Sequence, residues 1–267
     1  KGKKYVPVSL IQFNRGCQHD CTFCAVAGFY KKHAYTRCID HVIEEVATQP
    51  HKLILFVDDN LMANRKMAKD LFRELIPLKK WWVSQTSIEI AKDPELLDLM
   101  QQSGGKGVLV GLESIKLQTL KAMHKDPNLA NFNTYETPLR ILREHGMLLW
   151  GTFVFGYDDD SVEDIRKTLD FVMKNRFSVA DFNVLIPFPG TPVYAKLMQE
   201  NRLMYDGTWW LHDDYRYGYA AYNPAKMTPD ELTDACIDVR RRFSSFRGMV
   251  YRGMDFRVNL RSWSNLG

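Results

Sequence analysis

The chain has 267 residues, of which 45% are hydrophobic and 25% charged, as in an ordinary soluble globular protein. That composition excludes a disordered, collagen-like or disulfide-scaffold chain, and no run of about 18 apolar residues offers a bilayer span. The formal net charge of +4 is too small to argue for nucleic acid. The first residues, Lys1-Gly2-Lys3-Lys4, carry no Met, no signal-peptide apolar region and no transit pattern. The expectation is a cytoplasmic protein trimmed at its N-terminus.

Short apolar runs alternate with helical patterns along the chain. Val8 to Phe13 reads as a first strand. Arg15 to Cys24 follows it directly and holds three of the five Cys. Ile39, Val42, Ile43 and Val46 lie on one helical face. Leu53 to Val57 is a continuous apolar strand of the kind buried on both faces. Trp82 to Thr86 is a third strand. Asp93-Pro94 is a helix N-cap with Pro in the first helical position. Val108 to Leu112 is a fourth strand and Leu148 to Phe155 a fifth. Ser161 and Asp164 have capping-box spacing before an apolar stripe. Asp181 to Ile186 is a sixth strand. Residues 204 to 224 are rich in Trp, Tyr and Asp without a clean period. Thr228-Pro229-Asp230-Glu231 opens a last helix whose stripe runs through Cys236, Phe243 and Phe246.

Six strands, each followed by a helical pattern, predict a parallel α/β sheet with right-handed crossovers. Six units are fewer than the eight of a closed barrel. The expected fold is a partial (β/α)6 TIM-like barrel with a C-terminal helical extension, and an open doubly wound sheet is the competing architecture. In either, ligands bind at the carboxyl ends of the strands.

Cys17-Gln18-His19-Asp20-Cys21-Thr22-Phe23-Cys24 has the spacing C-x3-C-x2-C. Thiolates suit iron–sulfur clusters and zinc. Three thiolates on a cluster of four irons leave one iron open, the mark of a catalytic site. The competing readings are a zinc completed by Cys38, His19 or His33, or three unrelated buried thiols. Cys38 and Cys236 stand alone and read as structural.

This loop, with an aromatic before its third Cys at the end of a first strand, resembles the radical S-adenosylmethionine (radical SAM) superfamily. The resemblance runs from about Val8 to about Tyr205. It includes Phe56-Val57-Asp58-Asp59-Asn60, Val110-Gly111-Leu112-Glu113-Ser114, the glycine-punctuated stretch from Gly146 to Gly156, and Pro187-Phe188-Pro189-Gly190-Thr191-Pro192. It is closest to the branch that often carries an N-terminal cobalamin-binding domain, including radical methyltransferases and oxidative cyclases. The resemblance implies a SAM core over 1–203 and an irregular aromatic segment plus C-terminal helix over 204–267. It implies Cys17, Cys21 and Cys24 as ligands of a [4Fe–4S] cluster whose open iron binds SAM. Reductive cleavage of SAM would then produce a radical that abstracts hydrogen from a substrate C–H bond. The branch also implies cobalamin, held by a domain absent from this chain. A small-molecule or lipid-like substrate and an electron donor such as flavodoxin or ferredoxin complete the expected partners.

Further site residues come from the same resemblance. Phe23 would help seat the adenine. Asp58 and Asp59 stand where relatives place Gly-Gly-Glu against the SAM amino group, or else they cap the helix starting near Asn64. Glu113 would contact the ribose or methionine part of SAM, or form a structural ion pair. Lys125 would face the SAM carboxylate, or be a surface Lys. Gln85 would reach SAM or substrate, or be a satisfied amide. The aromatics from Tyr205 to Tyr222 line a pocket or close the side of the barrel. Arg240 to Arg242, Arg247 and Arg252 give the last helix a basic face, which is a solvated face or meets an acidic partner, nucleic acid or a membrane surface. A non-catalytic metal-binding interaction module and an RNA-modifying radical SAM enzyme are the alternative functions.

Overall fold

The computed structural model describes residues 6–130 and 135–254. Strands β1 (Val8–Ile11), β4 (Leu53–Phe56), β5 (Trp81–Thr86), β6 (Gly105–Glu113), β7 (Leu148–Phe155) and β8 (Val179–Val184) form one sheet in that order. Every pairing is parallel. Each crossover therefore advances one strand in the same direction, as in a (β/α) barrel. A doubly wound sheet reverses at a switch point, and none occurs here, so that alternative is corrected. The crossovers carry α2 (Ile39–Thr48), α3 (Arg65–Leu75), α4 (Pro94–Gln102), α5 (Leu117–Ala122), α6 (Asp126–Leu129), α7 (Glu136–Glu144) and α8 (Val162–Lys174). A short antiparallel pair, β2 (Asn14–Gly16) and β3 (Ala34–Thr36), brackets α1 (Ala25–Tyr30). Three-residue strands carry too little periodicity to be read from sequence.

The helices cover one face of the sheet. Ile54, Phe56, Trp82, Val108, Val110, Phe153, Phe155 and Phe182 lie buried there, and Phe72 stacks on Trp82. The opposite face is concave. Leu55, Val83, Leu109, Trp150 and Val179 line a cavity of about 440 Å³ on it. This corrects the expectation that Leu53 to Val57 is buried on both faces: Val57 is 44% exposed.

Helix ends follow their signals. Asp93 accepts from Leu96 N, and Ser161/Asp164 and Thr228/Glu231 both form capping boxes. After β8 come α9 (Pro192–Gln199), α10 (Pro229–Phe243) and α11 (Phe246–Gly253). The stripe expected to continue through Phe246 breaks at Ser245, which caps α11, and Phe246 is exposed. Residues 204–224 run as short 3₁₀ turns closed by an antiparallel bridge between Leu203 and Tyr222. Tyr222 Oη donates to Gly156 O at 2.8 Å, and Trp209 Nε1 donates to Pro187 O at 3.1 Å. These two aromatics close the side of the fold, while Trp210, Tyr217 and Tyr219 stay exposed.

Arg240 Nε donates to Phe182 O at 2.8 Å, and Arg252 is buried over the Phe243 ring at 3.6 Å. Two of the five Arg therefore serve the fold, while Arg241, Arg242 and Arg247 are exposed. Residues 255–267, the end of the expected C-terminal unit, lie outside the described residues, as does the stretch 1–5. Among the described residues, no helix is long and apolar enough to cross a membrane.

Candidate active site

The site sits at the carboxyl ends of β1, β4 and β6. The loop from Cys17 to Cys24 leaves β2 and ends on α1, where Cys24 is the N-cap. Its root is held by the acidic pair after β4. Asp58 accepts from Phe13 N at 3.2 Å and from Asn14 N. Asp59 accepts from Gly16 N at 2.7 Å. Asn14 Nδ2 donates to Leu61 O at 2.7 Å. Neither Asp caps α3, because Asn64 takes that role and accepts from Met67 N. Burial pushes the Asp58 carboxyl up to about 6, against the lowering effect of its two backbone donors.

The other half of the loop is held by Thr22. Its N–H donates to Met123 O at 3.0 Å, and its carbonyl accepts from Val193 N at 3.2 Å. Thr22 Oγ1 lies 3.0 Å from Ala122 O and 2.9 Å from Tyr157 Oη. A hydroxyl has one proton. Since Thr22 gives it to the Ala122 carbonyl, Tyr157 must be the donor to Thr22. The residue between two of the thiols is thereby tied to α5, α9 and the turn after β7.

Cys17, Cys21 and Cys24 are free, with Cys21 buried and the other two half-buried. Burial pushes the Cys17 and Cys21 thiols up, Cys21 to about 11, while the Lys125 ammonium pulls both down. Metal binding must therefore release protons from the loop. Among the described residues, no three His, Cys, Asp or Glu are gathered closely enough for a single metal ion. Three free thiols beside a buried cation are a donor set that fits an anionic iron–sulfur group. His19 Nε2 within this loop and Asn60 Oδ1 beyond β4 are buried polar atoms without a hydrogen-bond partner among the described residues.

Glu113 ends β6 with φ +63°, immediately after a register shift between Gly111 and Glu113. A non-glycine residue in that region is strained, and such strain persists where the surroundings enforce it. Its carboxylate pairs with Lys125 Nζ at 3.1 Å, the two side chains being 8% and 13% exposed. Gly111 makes room for the pair: a Cβ there would overlap the Glu113 carboxylate and stand 3.1 Å from Lys125 Nζ. Asn128 on α6 donates to Gly111 O and Leu112 O at 3.0 and 2.6 Å, fixing the strand end. Burial alone would lower the Lys125 ammonium, but Glu113 and Cys21 outweigh it and hold it above the ordinary range.

The structure thus brings Cys17, Cys21, Glu113 and Lys125 into one electrostatic group. Asp58 and Asp59 brace the loop and also line the concave cavity, together with Gln85, which is exposed at the end of β5. Phe23 is half-buried and packs against the core. Thr22, Tyr157 and Asn128 are site residues that sequence reasoning missed. Their side-chain bonds span 16 to 135 positions, and no local spacing encodes them.

The profile of the radical SAM superfamily matches residues 11–172. The bacteriochlorophyllide d C-12(1)-methyltransferase of Chlorobaculum tepidum is 31% identical over 94% of this chain and 53% of its own length. The hopanoid C-2 methylase of Rhodopseudomonas palustris is 29% identical over 73% of this chain and 39% of its own. The solved radical SAM methyltransferase TsrM of Kitasatospora setae, with cobalamin and a [4Fe–4S] cluster bound, shares the fold. Its TM-score is 0.62 at 23% identity, over 72% of this chain and 37% of that one. The chain spans about half or less of the length of these proteins.

Proposed function

The chain belongs to the radical SAM superfamily, and from that membership we propose that it is the catalytic core of a cobalamin-dependent methylase acting on a carbon of an apolar, ring-bearing substrate. The observation that carries this reading is the position of the thiol loop and the Glu113–Lys125 pair. Both sit at the rim of a sheet whose open face is a largely apolar cavity. The two methylases named above support the reaction class. Their names, a chlorophyll-type macrocycle and a hopanoid, support the substrate class. This reading requires a cobalamin bound by a part of the protein outside these 267 residues.

When bound, the cluster and SAM supply the one-electron chemistry that activates a C–H bond or moves a methyl group. The chain's own residues bind and orient. Cys17, Cys21 and Cys24 hold the cluster, with Asp58, Asp59 and Thr22 fixing their loop. Lys125 offers a desolvated cation to a carboxylate, and Glu113 offers acceptors to an ammonium or hydroxyl group, so the pair suits a zwitterionic amino-acid end. Leu55, Val83, Leu109 and Trp150 give the cavity an apolar wall against which an apolar substrate packs.

The test is anaerobic reconstitution of the full-length protein with iron, sulfide and cobalamin, followed by incubation with SAM, a low-potential reductant and an apolar macrocycle or triterpenoid. A product heavier by one methyl, with S-adenosylhomocysteine released, supports the proposal. An oxidised ring product without a new methyl would reassign the chain to the cyclase type.

A further inference from the structure

A locally basic stretch of the sequence surrounds the thiol loop. Between Arg15 and Arg37, four Lys or Arg face one acid, Asp20, so these residues carry +3 of the chain's net +4. The structure gathers them on one exposed surface formed by α1 and the β2–β3 pair. Lys32 pairs with Asp20 at 2.7 Å and Arg37 with Glu45 at 2.7 Å. Arg15 reaches the neutral Gln12 at 2.8 Å, and Lys31 is exposed at the C-cap of α1.

Large rings stand among these cations. Phe29 is 77% exposed and Tyr35 62%. Phe29 and Tyr30 meet edge to face at 4.9 Å, and Tyr30 and Tyr35 lie 6.3 Å apart. Two exposed rings beside Arg15 and Lys31, which have no acid partner among the described residues, cost solubility and do nothing for the core, which is the composition of an interface rather than of a solvated face. A shallow groove between α1 and the turn at Pro189–Thr191 continues this surface.

The surface also lies against the thiol loop. Gly16, the residue before Cys17, has φ +90°, and a Cβ there would overlap His33 O and come within 3.0 Å of the Tyr30 ring. Tyr30 therefore rests on the backbone next to Cys17. At the other end of α1, Cys24 is the N-cap. The aromatic patch thus reaches the backbone of the first thiol and shares its helix with the third.

We infer that this basic, aromatic surface is the docking site of a small acidic one-electron carrier protein. The inference rests on the radical SAM reading, because a cluster that cleaves SAM must receive one electron from outside. In the transfer the reduced carrier loses one electron and the cluster gains it, with no bond made or broken. Charge complementarity selects an acidic partner and speeds its encounter. The rings supply the dry contact beside the loop.

The experiment compares two reductants on the anaerobically reconstituted full chain. Reduction of the cluster is followed by the bleaching of its visible absorption on mixing with reduced flavodoxin, an acidic carrier, or with dithionite. The variants are the double charge reversal Arg15→Glu with Lys31→Glu, and Phe29→Ser. We expect the charge reversal to slow reduction by flavodoxin about 10-fold or more at low salt, with the difference collapsing at high salt. Phe29→Ser should slow it at both salts. Dithionite should reduce all three proteins alike. Equal slowing with both reductants would overturn the inference, since the surface would then merely support the loop. An unchanged rate with flavodoxin, or a wild-type cluster that only dithionite reduces, would also overturn it. A chain that takes up no iron or sulfide would instead remove the radical SAM site itself.

Discussion

Glu113 holds Lys125 at 3.1 Å across the face of Gly111, where no side chain could stand. Breaking a buried pair by removing one partner costs about 3–5 kcal/mol, because the other charge stays behind. Lys125→Met should therefore lower the unfolding free energy by that order in urea titrations. The double variant Glu113→Gln with Lys125→Met should cost clearly less than the sum of the two single changes. Gly111→Ala should cost about 1–3 kcal/mol by overpacking and should weaken SAM binding measured by calorimetry.

Thr22 and Tyr157 form a brace whose loss should be read in cluster retention. Tyr157→Phe removes the donor to Thr22 Oγ1 and should cost about 0.5–1.5 kcal/mol. Thr22→Val removes both hydroxyl bonds and should cost more, while Thr22→Ser keeps them. Iron release to a chelator from the reconstituted protein should be slowest in the wild type and Thr22→Ser, faster in Tyr157→Phe and fastest in Thr22→Val. Equal release rates in all four would show that the brace does not hold the loop.

The sheet and its order were legible because each buried strand is a short apolar run and each long helix has a stripe and a cap. The thiol loop was legible because its ligand spacing is local. The state of Asp58 and Asp59 was not. Both residues were visible at a strand end, but their donors, Phe13, Asn14 and Gly16, lie more than 40 positions away. The folding roles of Arg240 and Arg252 were hidden for a similar reason: they find the Phe182 carbonyl and the Phe243 ring only after folding.

Asp58 gives a pH signature. Burial pushes its folded-state pKa up to about 6 from the ordinary value of 3.8. A raised carboxyl binds more protons folded than unfolded between those values, so its contribution to stability is fully present below about pH 4 and is lost as pH rises through 6. The change is roughly 3 kcal/mol at most. Asp58→Asn should be destabilised at every pH, since an amide NH2 would face a backbone N–H. Its deficit relative to the wild type should shrink between pH 4 and pH 7 in parallel urea titrations. A deficit that grows over this range would mean that Asp58 is held ionised.

The central claim is that Cys17, Cys21 and Cys24 ligate one [4Fe–4S] cluster. Iron and sulfide content after anaerobic reconstitution tests it most directly. The account predicts about four irons and four sulfides per chain. Cys17→Ala, Cys21→Ala or Cys24→Ala should each lose most of both, and Cys38→Ala and Cys236→Ala should retain them. One zinc per chain with no iron, or a cluster that survives the loop substitutions, would contradict it.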